Sequence, residues 1–336
     1  MPPSTVLVTG ATGMVGNHTV RRLLEAGYQV RVMLRSSADP HSLEGLDVQR
    51  VDGDLARPET LRTPLRGVDY VVHTAAHVGD WGPAEKYRAI NVIALEHLLA
   101  AAEAEGRLRR WVQVSSLGVY EARHHFGTDE TEAVDLGGLD GYTRTKAEAE
   151  ILLQQHIGQQ QFPAAIVRPG FIYGRGDRHV VPRLVERISA GKMKLIGDGQ
   201  RVLNNTYVGN LVDAILLAMD NEAAIGQIFN VRDERLVTRA EFVGAIADYL
   251  GKPHPGRVPE WVARTMVKPI EGIARLRGAS EAPMLTQGRI KFLTLNLDFS
   301  IDKAKHLLGY QPQVDFRDGI GEALATSGPA ARNAAA

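Results

Sequence analysis

The 336-residue sequence has no cysteine, no net charge and few aromatic residues, which make up 6% of the chain. Without cysteine it cannot form a disulfide, a thiolate metal site or a cysteine nucleophile. Its 39 basic and 39 acidic residues cancel, so the overall charge predicts neither a nucleic-acid partner nor an anionic membrane partner. We expect no metal site and a small-molecule substrate.

Long apolar runs are also missing. No stretch approaches the roughly 18–20 residues that a membrane-spanning helix needs. The first four residues lead directly into an apolar segment, which leaves no room for a secretory signal peptide. We therefore expect a cytoplasmic protein, and a hydrophobic content of 44% over this length predicts a large buried core.

The most informative segment is the glycine-rich turn TGATGMVG at residues 9–16. It stands between an apolar strand pattern at 5–8 and an apolar helix pattern, which is where a dinucleotide-binding fold holds the pyrophosphate. Gly10 allows the tight turn, Gly13 lets the backbone approach the phosphates, and Gly16 lets the helix pack closely on the sheet. The N–H groups at the start of the helix then face the anion.

Strand-like and helix-like segments alternate through the first half of the chain. Strands are predicted at residues 5–8, 29–34, 48–51, 70–74, 111–115 and 164–168. The main helices between them are predicted at 84–104 and 143–156. Nearly unbroken apolar strands are typical of a parallel sheet covered on both faces. The pattern predicts an α/β fold with a Rossmann-type doubly wound parallel sheet and a smaller C-terminal substrate-binding subdomain.

The second half is less regular. Helices are predicted at 182–190, 211–219 and 239–250, a hairpin-like stretch at 195–208 and one more core strand at 227–231. The segment 261–276 has three open interpretations: a lid, a membrane-surface contact or core. The predicted division is a Rossmann core at 1–175 and 206–232, a substrate-binding region at 176–205 and 233–325, and a disordered tail at 326–336.

A tyrosine, a lysine and a serine pair suggest chemistry at the carboxyl edge of this sheet. Tyr142 and Lys146 lie one helical turn apart, so both project from one face. An ammonium beside a phenol lowers its pKa, and the phenol can then exchange a proton with a carbonyl or an alcohol. Ser115 and Ser116 close the strand 111–115, and a hydroxyl at this position can hydrogen-bond the same oxygen. Either feature alone is also typical of ordinary surface residues.

Eight segments occur in the order and spacing of the extended short-chain dehydrogenase/reductases, and the chain resembles that family over residues 4–325. They are TGATGMVG at 9–16, DL at 54–55, HTAA at 73–76, Asn91, SSLGVY at 115–120, YTRTK at 142–146, RPGFIYG at 168–174 and LGYQP at 308–312. The resemblance implies a Rossmann core, a smaller substrate region and NAD(P) chemistry.

The resemblance also implies individual roles. Ser116, Tyr142 and Lys146 are the expected catalytic group, with Asn91 supporting the active-site backbone. Asp54 accepts a hydrogen bond from the adenine amino group and Leu55 packs beside the ring, while Lys146 also holds the nicotinamide ribose. The expected cofactor-binding residues are Gly10, Thr12, Gly13, Met14, Val15, Gly16, Arg35, Ser36, Asp54, Leu55, Thr74, Ala75, Ala76, Ser115, Tyr142, Lys146, Pro169 and Phe171.

The end of the second predicted strand bears on the choice of cofactor. An NAD enzyme usually places an acid there for the ribose hydroxyls, but this strand ends in Arg35 and Ser36, with no carboxylate before Asp39. An arginine and a hydroxyl suit a 2′-phosphate. We predict NADP(H) rather than NAD(H).

Three branches of the family compete. Sugar-nucleotide dehydratases follow the active-site hydroxyl with an Asp-Glu pair, whereas Leu117 and Gly118 follow Ser116 here. The acids Asp129 and Glu130, which come after Thr128, are interpreted as part of a solvated loop. Nucleotide-sugar epimerases carry an Arg-Asp pair before the position of Tyr207, and this chain lacks it. Arg201 can substitute for that arginine, so a nucleotide-sugar 4-epimerase remains an alternative.

The third branch resembles 3β-hydroxysteroid and sterol dehydrogenases and related keto reductases. The loop 76–83, the segment 174–178 and the apolar and basic segment 261–270 resemble it. An uncharged rim with an aromatic loop predicts a lipophilic secondary alcohol or its ketone. The remaining alternative, a non-catalytic NAD(P)-binding sensor or structural subunit, is disfavoured by the retained Ser116, Tyr142 and Lys146.

The family resemblance also predicts a homodimer. The predicted helices 84–104 and 143–156 carry more apolar surface than packing on the sheet needs, and in the resembling family these two helices pair across a two-fold axis.

Overall fold

The computed structural model describes residues 3–327 except 139, 179, 278, 280 and 284. Its strands are β1 (Thr5–Thr9), β2 (Gln29–Leu34), β3 (Val48–Asp52), β4 (Tyr70–His73), β5 (Arg110–Val114), β6 (His125–Thr128), β7 (Ala164–Pro169), β8 (Phe171–Tyr173), β9 (Lys194–Ile196), β10 (Asn205–Tyr207), β11 (Ile228–Val231), β12 (Gly256–Val258) and β13 (Leu297–Phe299).

The helices alternate with these strands. They are α1 (Met14–Glu25), α2 (Arg62–Leu65), α3 (Ala84–Arg88), α4 (Ala94–Glu105), α5 (Gly141–Gln160), α6 (Val181–Ser189), α7 (Val208–Asp220), α8 (Arg239–Tyr249), α9 (Glu260–Leu276), α10 (Gln287–Thr294), α11 (Asp302–Leu308) and α12 (Phe316–Ser327). The predicted helix 84–104 is interrupted, because a π-helical turn, Ala89–Ile93, joins α3 to α4.

A seven-stranded parallel sheet in the order β3-β2-β1-β4-β5-β7-β11 forms the centre of the fold. Helices α1, α7 and α11 cover one face, where Leu23 and Ile215 belong to one apolar cluster. Helices α2, α4 and α5 cover the other, where Leu98 and Leu153 belong to a second cluster. The predicted Rossmann-type doubly wound sheet is confirmed.

A separate apolar core lies beside the sheet, around helices α6, α8 and α12. Phe242 of α8 and Phe316 of α12 pack with ring centroids 5.2 Å apart, and Tyr173 of β8 packs on both. Partly buried Met14 and Val15, at the start of α1, also pack against this core. The glycine turn therefore lies next to both cores.

The predicted hairpin at 195–208 is wrong. Strand β9 pairs in parallel with β12, and β10 pairs in parallel with β8, so neither strand pairs with the other. Gly197 and Gly199 adopt φ of +69° and +71°, which makes the chain turn after β9. The third small pair is also parallel and joins β6 to β13.

The end of the chain is described only to Ser327. Thr326 and Ser327 complete α12, so the part of the predicted disordered tail at 326–327 is helical. The rest of that prediction, 328–336, lies outside the described residues. Among the helices in the described part, none is long and apolar enough to cross a membrane.

Candidate functional site

The glycine turn after β1 is built by close backbone approach. Gly10 has φ +70°, and a Cβ there would lie 2.7 Å from Thr74 Oγ1 and 2.8 Å from the Ala75 nitrogen. A Cβ on Gly16 would overlap the Gly10 carbonyl. Both positions therefore exclude a side chain. Because neither residue has a Cβ, α1 can lie close to the turn and the turn can lie close to the end of β4.

The open side of the turn fits an anion. Gly13 is the N-cap of α1, is exposed, and has no side chain to cap the first N–H groups of the helix. Thr12 lies beside it, half-buried. These N–H groups and the positive end of the helix dipole form the kind of site that binds phosphate. The cradle therefore fits the pyrophosphate of a dinucleotide.

The residues predicted for the adenosine end come together at the ends of β2 and β3. The Gly53 N–H donates to the Leu34 carbonyl at 3.0 Å, which brings Asp54 and Leu55 next to the turn that carries Arg35 and Ser36. Arg35 and Ser36 are exposed, whereas Asp54 and Leu55 are half-buried. The Asp54 carboxylate accepts from the Ala56 N–H at 2.9 Å.

The end of β4 is tied to β1. Thr74 donates to the Thr9 carbonyl at 2.7 Å, and the Ala75 N–H donates to the Thr9 hydroxyl at 3.3 Å. Ala76 follows, half-buried. Small residues here leave space beside the glycine turn, as expected for residues that line a cofactor.

Asn91 lies in the π-helical turn and connects this loop to α5. Its side-chain oxygen accepts from the His77 N–H at 2.7 Å, and its nitrogen donates to the His77 carbonyl at 3.1 Å and to the Thr145 hydroxyl at 3.0 Å. It touches the backbone beside the site and not the reactive hydroxyls. Its geometry is that of a positioning residue.

Ser116 and Tyr142 lie near each other at the carboxyl edge of the sheet. The Ser116 oxygen accepts from the Gly118 N–H at 3.0 Å, and Ser116 acts to lower the pKa of the Tyr142 phenol. Asp140 caps α5 by accepting from the Thr143 N–H at 2.8 Å, and this fixes the first turn that carries Tyr142. Ser115 beside them is buried, and its hydroxyl has no protein partner.

Lys146 lies one turn along α5, with its Nζ 5.9 Å from the Tyr142 ring centroid. It donates to the Val114 carbonyl at 2.8 Å. Burial lowers the pKa of Lys146 to about 8, partly offset by the charge of Glu150. Burial, followed by the positive charge of Lys146, lowers the pKa of His73 to about 3.

The expected lowering of the pKa of Tyr142 is not found. Burial, followed by the negative charge of Asp140, raises it to about 12, while the hydrogen bond from Ser116 acts in the opposite direction. Desolvation penalises the phenolate more than these neighbours stabilise it. At neutral pH the Tyr142 phenol therefore holds its proton.

A buried ion pair behind Lys146 was not predicted. Arg168 donates to both carboxylate oxygens of Glu150, with contacts of 2.5 to 3.0 Å, and also to the Tyr120 hydroxyl at 2.7 Å. Glu150 stands one turn after Lys146 in α5. The spacing Tyr142-Lys146-Glu150, three residues on one helix face, is the sequence signal that indicates it.

The strands on the far side of the site also carry predicted residues. Pro169 ends β7, buried, and Phe171 begins β8 with its N–H donating to the Asn204 carbonyl at 2.8 Å. The Phe171 ring packs edge-on against Phe242 at 5.5 Å between centroids. These two positions join the sheet to the second core.

A cavity of about 320 Å³ opens beside the start of α5. Asp140 and Gly141 line it, together with Trp81 of the predicted aromatic loop, Glu271 of α9 and Asp80. Three carboxylates face this cavity, so its own lining is charged, unlike the uncharged rim expected for the substrate pocket. The protein uses them for its own contacts: Asp80 pairs with Arg289 at 2.8 Å, and Glu271 accepts from the Gln287 N–H at 2.7 Å.

Two other expectations concern single charged residues. Arg201, the substitute for the epimerase arginine, pairs with Glu260 at 3.0 Å and donates to the Thr294 carbonyl, so its guanidinium is engaged within the protein. Glu130 is not solvated surface as expected: it is partly buried, accepts from the Asn230 N–H at 2.7 Å, and burial raises its pKa.

The family model for the NAD dependent epimerase/dehydratase family matches residues 6–231 of this chain. The chain belongs to this family. The expectation of a nicotinamide adenine dinucleotide cofactor and of an extended short-chain dehydrogenase/reductase is thereby confirmed.

Curated relatives indicate which branch of the family this chain resembles. A 2-alkyl-3-oxoalkanoate reductase of Stenotrophomonas maltophilia is 30% identical over 335 residues, covering 96% of this chain and 99% of the relative. A 3 beta-hydroxysteroid dehydrogenase/Delta 5-->4-isomerase of Mycobacterium tuberculosis is 31% identical over 339 residues, covering 95% and 89%. The predicted likeness to the 3β-hydroxysteroid dehydrogenase-like branch is confirmed, as is an oxidoreductase acting on CH–OH groups.

The fold is shared more widely than the sequence. The solved structure of epimerase Mth375 from Methanothermobacter thermautotrophicus superposes with a TM-score of 0.80 at 24% identity, over 98% of this chain and 95% of that chain. This likeness concerns the fold alone.

Proposed function

We propose that this enzyme is an NADPH-dependent reductase that interconverts a lipophilic ketone and its secondary alcohol. The observation that carries the proposal is the placement of Ser116, after β5, near Tyr142 in the first turn of α5, with Lys146 Nζ 5.9 Å from the Tyr142 ring centroid. Hydroxyls placed in this way can hold one carbonyl oxygen between two donors. The glycine turn at 9–16 lies at the same edge of the sheet.

The chemistry is divided between the cofactor and the side chains. The dinucleotide, when bound, supplies or accepts a hydride at the substrate carbon. Ser116 donates a hydrogen bond that orients the substrate oxygen, and Tyr142 transfers the proton to that oxygen. The Lys146 ammonium stabilises the negative charge that the Tyr142 oxygen develops, and Asn91 keeps the loop at His77 in register with α5.

The protonation states favour reduction. A Tyr142 pKa of about 12 means that the phenol carries the proton a ketone needs at neutral pH, and a Lys146 pKa of about 8 keeps the ammonium charged there. The reverse reaction would require a phenolate, which burial disfavours. At neutral pH these two residues therefore carry the proton and the charge that ketone reduction uses.

The substrate class is argued from charge. A diphosphate needs positive charge or free N–H groups in the pocket. Instead, Asp80, Asp140 and Glu271 line the cavity at the start of α5, Asp80 is paired with Arg289, and Arg201 is engaged by Glu260. The names of the relatives, an oxoalkanoate reductase and a hydroxysteroid dehydrogenase, also support a lipophilic keto compound.

The test is a substrate panel followed by the loss of NADPH absorbance. We expect turnover with long-chain 2-alkyl-3-oxo acids or 3-ketosteroids, and no turnover or saturable binding with UDP- and GDP-sugars. Binding of a nucleotide sugar alone would favour the 4-epimerase instead. Cofactor binding without turnover on any compound would favour a non-catalytic sensor or structural subunit.

The preference for NADPH depends on Arg35, which is exposed at the end of β2 beside Ser36. We predict that Arg35→Ala weakens NADPH binding about tenfold and leaves NADH binding unchanged, because only the 2′-phosphate contact is lost. Arg66→Ala, at another exposed arginine, is the matched control. Fluorescence titration of the Arg35→Ala variant with NADPH and with NADH is the measurement. An equal loss of affinity for the two cofactors would show that Arg35 does not select NADPH.

We also propose the division of labour and the assembly state. Residues 1–175 and 206–232 would bind the dinucleotide, and 176–205 and 233–325 the substrate. We propose a cytoplasmic homodimer formed by the helices at 84–104 and 143–156. Most of the large apolar residues of these helices pack on the sheet, and Ile93 is the large apolar residue that is exposed on them. Light scattering at micromolar concentration tests whether the protein is a dimer.

A further inference from the structure

Helix α9 presents large apolar side chains to solvent. Leu276 is 90% exposed, Trp261 70%, Ile273 51% and Met266 48%. With Pro269, also exposed, these residues recur every three to five positions and so share one side of the helix. The opposite side packs inward, where Ala263 and Val267 cluster with Ile290 of α10.

The charge around this apolar face has one sign. Residues 252–277 contain six lysines and arginines but two glutamates, in a chain whose total charge is zero. Both glutamates make internal contacts: Glu260 pairs with Arg201 and Arg264, and Glu271 accepts from Gln287. Lys268 is exposed along one edge of the face, and Arg277 is exposed at its end.

The same helix lines the cavity at the start of α5. Glu271, on its buried side, lines the cavity beside Tyr142, and the loop that carries Trp81 is joined to the segment after α9 by a 2.9 Å hydrogen bond from the Trp81 indole to the Ala279 carbonyl. Val78 of that loop is also exposed. The apolar face therefore lies on the outside of the wall that separates the cavity from solvent.

We propose that α9 is a membrane-surface helix, which lies on an anionic lipid bilayer with its apolar face among the acyl chains and its basic residues at the headgroups. An apolar face bordered by lysine and arginine is the pattern that binds such surfaces. A lipophilic compound dissolved in the bilayer would then meet the enzyme next to its cavity. This last consequence rests on the proposed function, but the binding itself does not.

The test is co-sedimentation of the full chain with vesicles, in the absence of cofactor and substrate. We expect binding to 1:1 phosphatidylcholine/phosphatidylglycerol vesicles at least about tenfold stronger than to phosphatidylcholine alone, and weaker binding at high salt. The double substitution Ile273→Glu with Leu276→Glu lowers binding to the anionic vesicles at least about tenfold. Lys268→Glu lowers it by a smaller factor.

The matched control is Phe126→Glu, because Phe126 is 78% exposed on β6, a different element that pairs with β13. It should bind vesicles like the unchanged protein, and all variants should keep their melting temperature. No binding to anionic vesicles, or equal loss in the control, overturns the proposal. So does a change of oligomeric mass on substituting α9 without vesicle binding, since that would make the face an interface between copies. Ketone turnover with no vesicle binding would refute this inference and leave the proposed function standing.

Discussion

Helices α5 and α9 line the same cavity and depart from the usual amphipathic pattern in opposite directions. Helix α5 buries charge: Lys146 is 4% exposed and Glu150 is fully buried. Helix α9 does the reverse and exposes apolar side chains. Buried charge is costly unless it is paired, and large exposed apolar faces are rare on monomeric proteins. Each departure therefore indicates a use beyond holding the fold together.

The two helices differ in where the compensation comes from. In α5 it is internal, because Arg168 neutralises Glu150 and Glu150 in turn favours the charged form of Lys146. In α9 the apolar residues of the buried side pack against α10, while no described residue covers the apolar residues of the exposed side. The following predictions test this difference.

The largest expected effect is on stability, from breaking the compensation within α5. Glu150→Gln should lower the free energy of unfolding by about 3–5 kcal/mol, because it leaves Arg168 charged and buried without its partner. Glu148→Gln on the same helix should cost about 1 kcal/mol or less, since Glu148 pairs with Arg88 and Arg144 near the surface. Urea unfolding of both variants decides, and similar losses would contradict the argument.

The next effect is on the chemical step. Tyr142→Phe should keep dinucleotide affinity and lower turnover at least about a hundredfold, because only the transferable proton is removed. Steady-state kinetics beside cofactor titration separates the two. Turnover near that of the unchanged enzyme would show that Tyr142 is not the proton donor.

The pH dependence of ketone reduction should follow Lys146. Its pKa of about 8 means that it is charged below pH 8 and loses its proton above, so the rate should fall as pH rises through 8. Tyr142, with a pKa of about 12, stays protonated throughout this range. Because Glu150 raises the pKa of Lys146, Glu150→Gln should move this alkaline limb to lower pH. If the alkaline limb of the Glu150→Gln variant does not move, Glu150 does not raise the pKa of Lys146.

The smallest effect is expected on α9. Ile273→Glu should change the free energy of unfolding by no more than about 0.5 kcal/mol, because the side chain is half-exposed on the outer side of the helix. Val267→Glu, one and a half turns earlier on the buried side, should cost several times more. Equal effects in urea unfolding would mean that the outer face is part of the core.

The parts of the fold that are local in sequence could be predicted from it. The glycine turn between β1 and α1 and the apolar strands of the sheet are set by neighbouring residues, and the structure has them close to the predicted positions. The three-residue strands β9 and β12 could not be paired, because residues some sixty positions apart make that contact. Their length carries too little periodicity to indicate a partner.

The features of the site that depend on neighbouring residues could likewise be predicted from the sequence, and those that depend on distant residues could not. The spacing of Tyr142 and Lys146 places them on one face, but the balance between burial and charge that sets the Tyr142 pKa depends on Asp140 and the surrounding fold. The zero net charge of the chain does not reveal the basic excess around α9, which only the local segment 261–270 indicates, since opposite charges elsewhere cancel it. A total charge describes the whole molecule and not one of its surfaces.

The position of α12 has a consequence for biosynthesis. Every strand of the central sheet has been made once Val231 is added, but Phe316 and Ile320, which complete the core around α6 and α8, come at the end of the chain. At a translation rate of about 5–20 residues per second, the core around α6 and α8 stays without its α12 side chains for roughly 5–20 s after the last sheet strand is made. The nascent chain thus passes through a stage with a complete parallel sheet and an incomplete second core, and that stage is where it is most open to chaperone binding or aggregation.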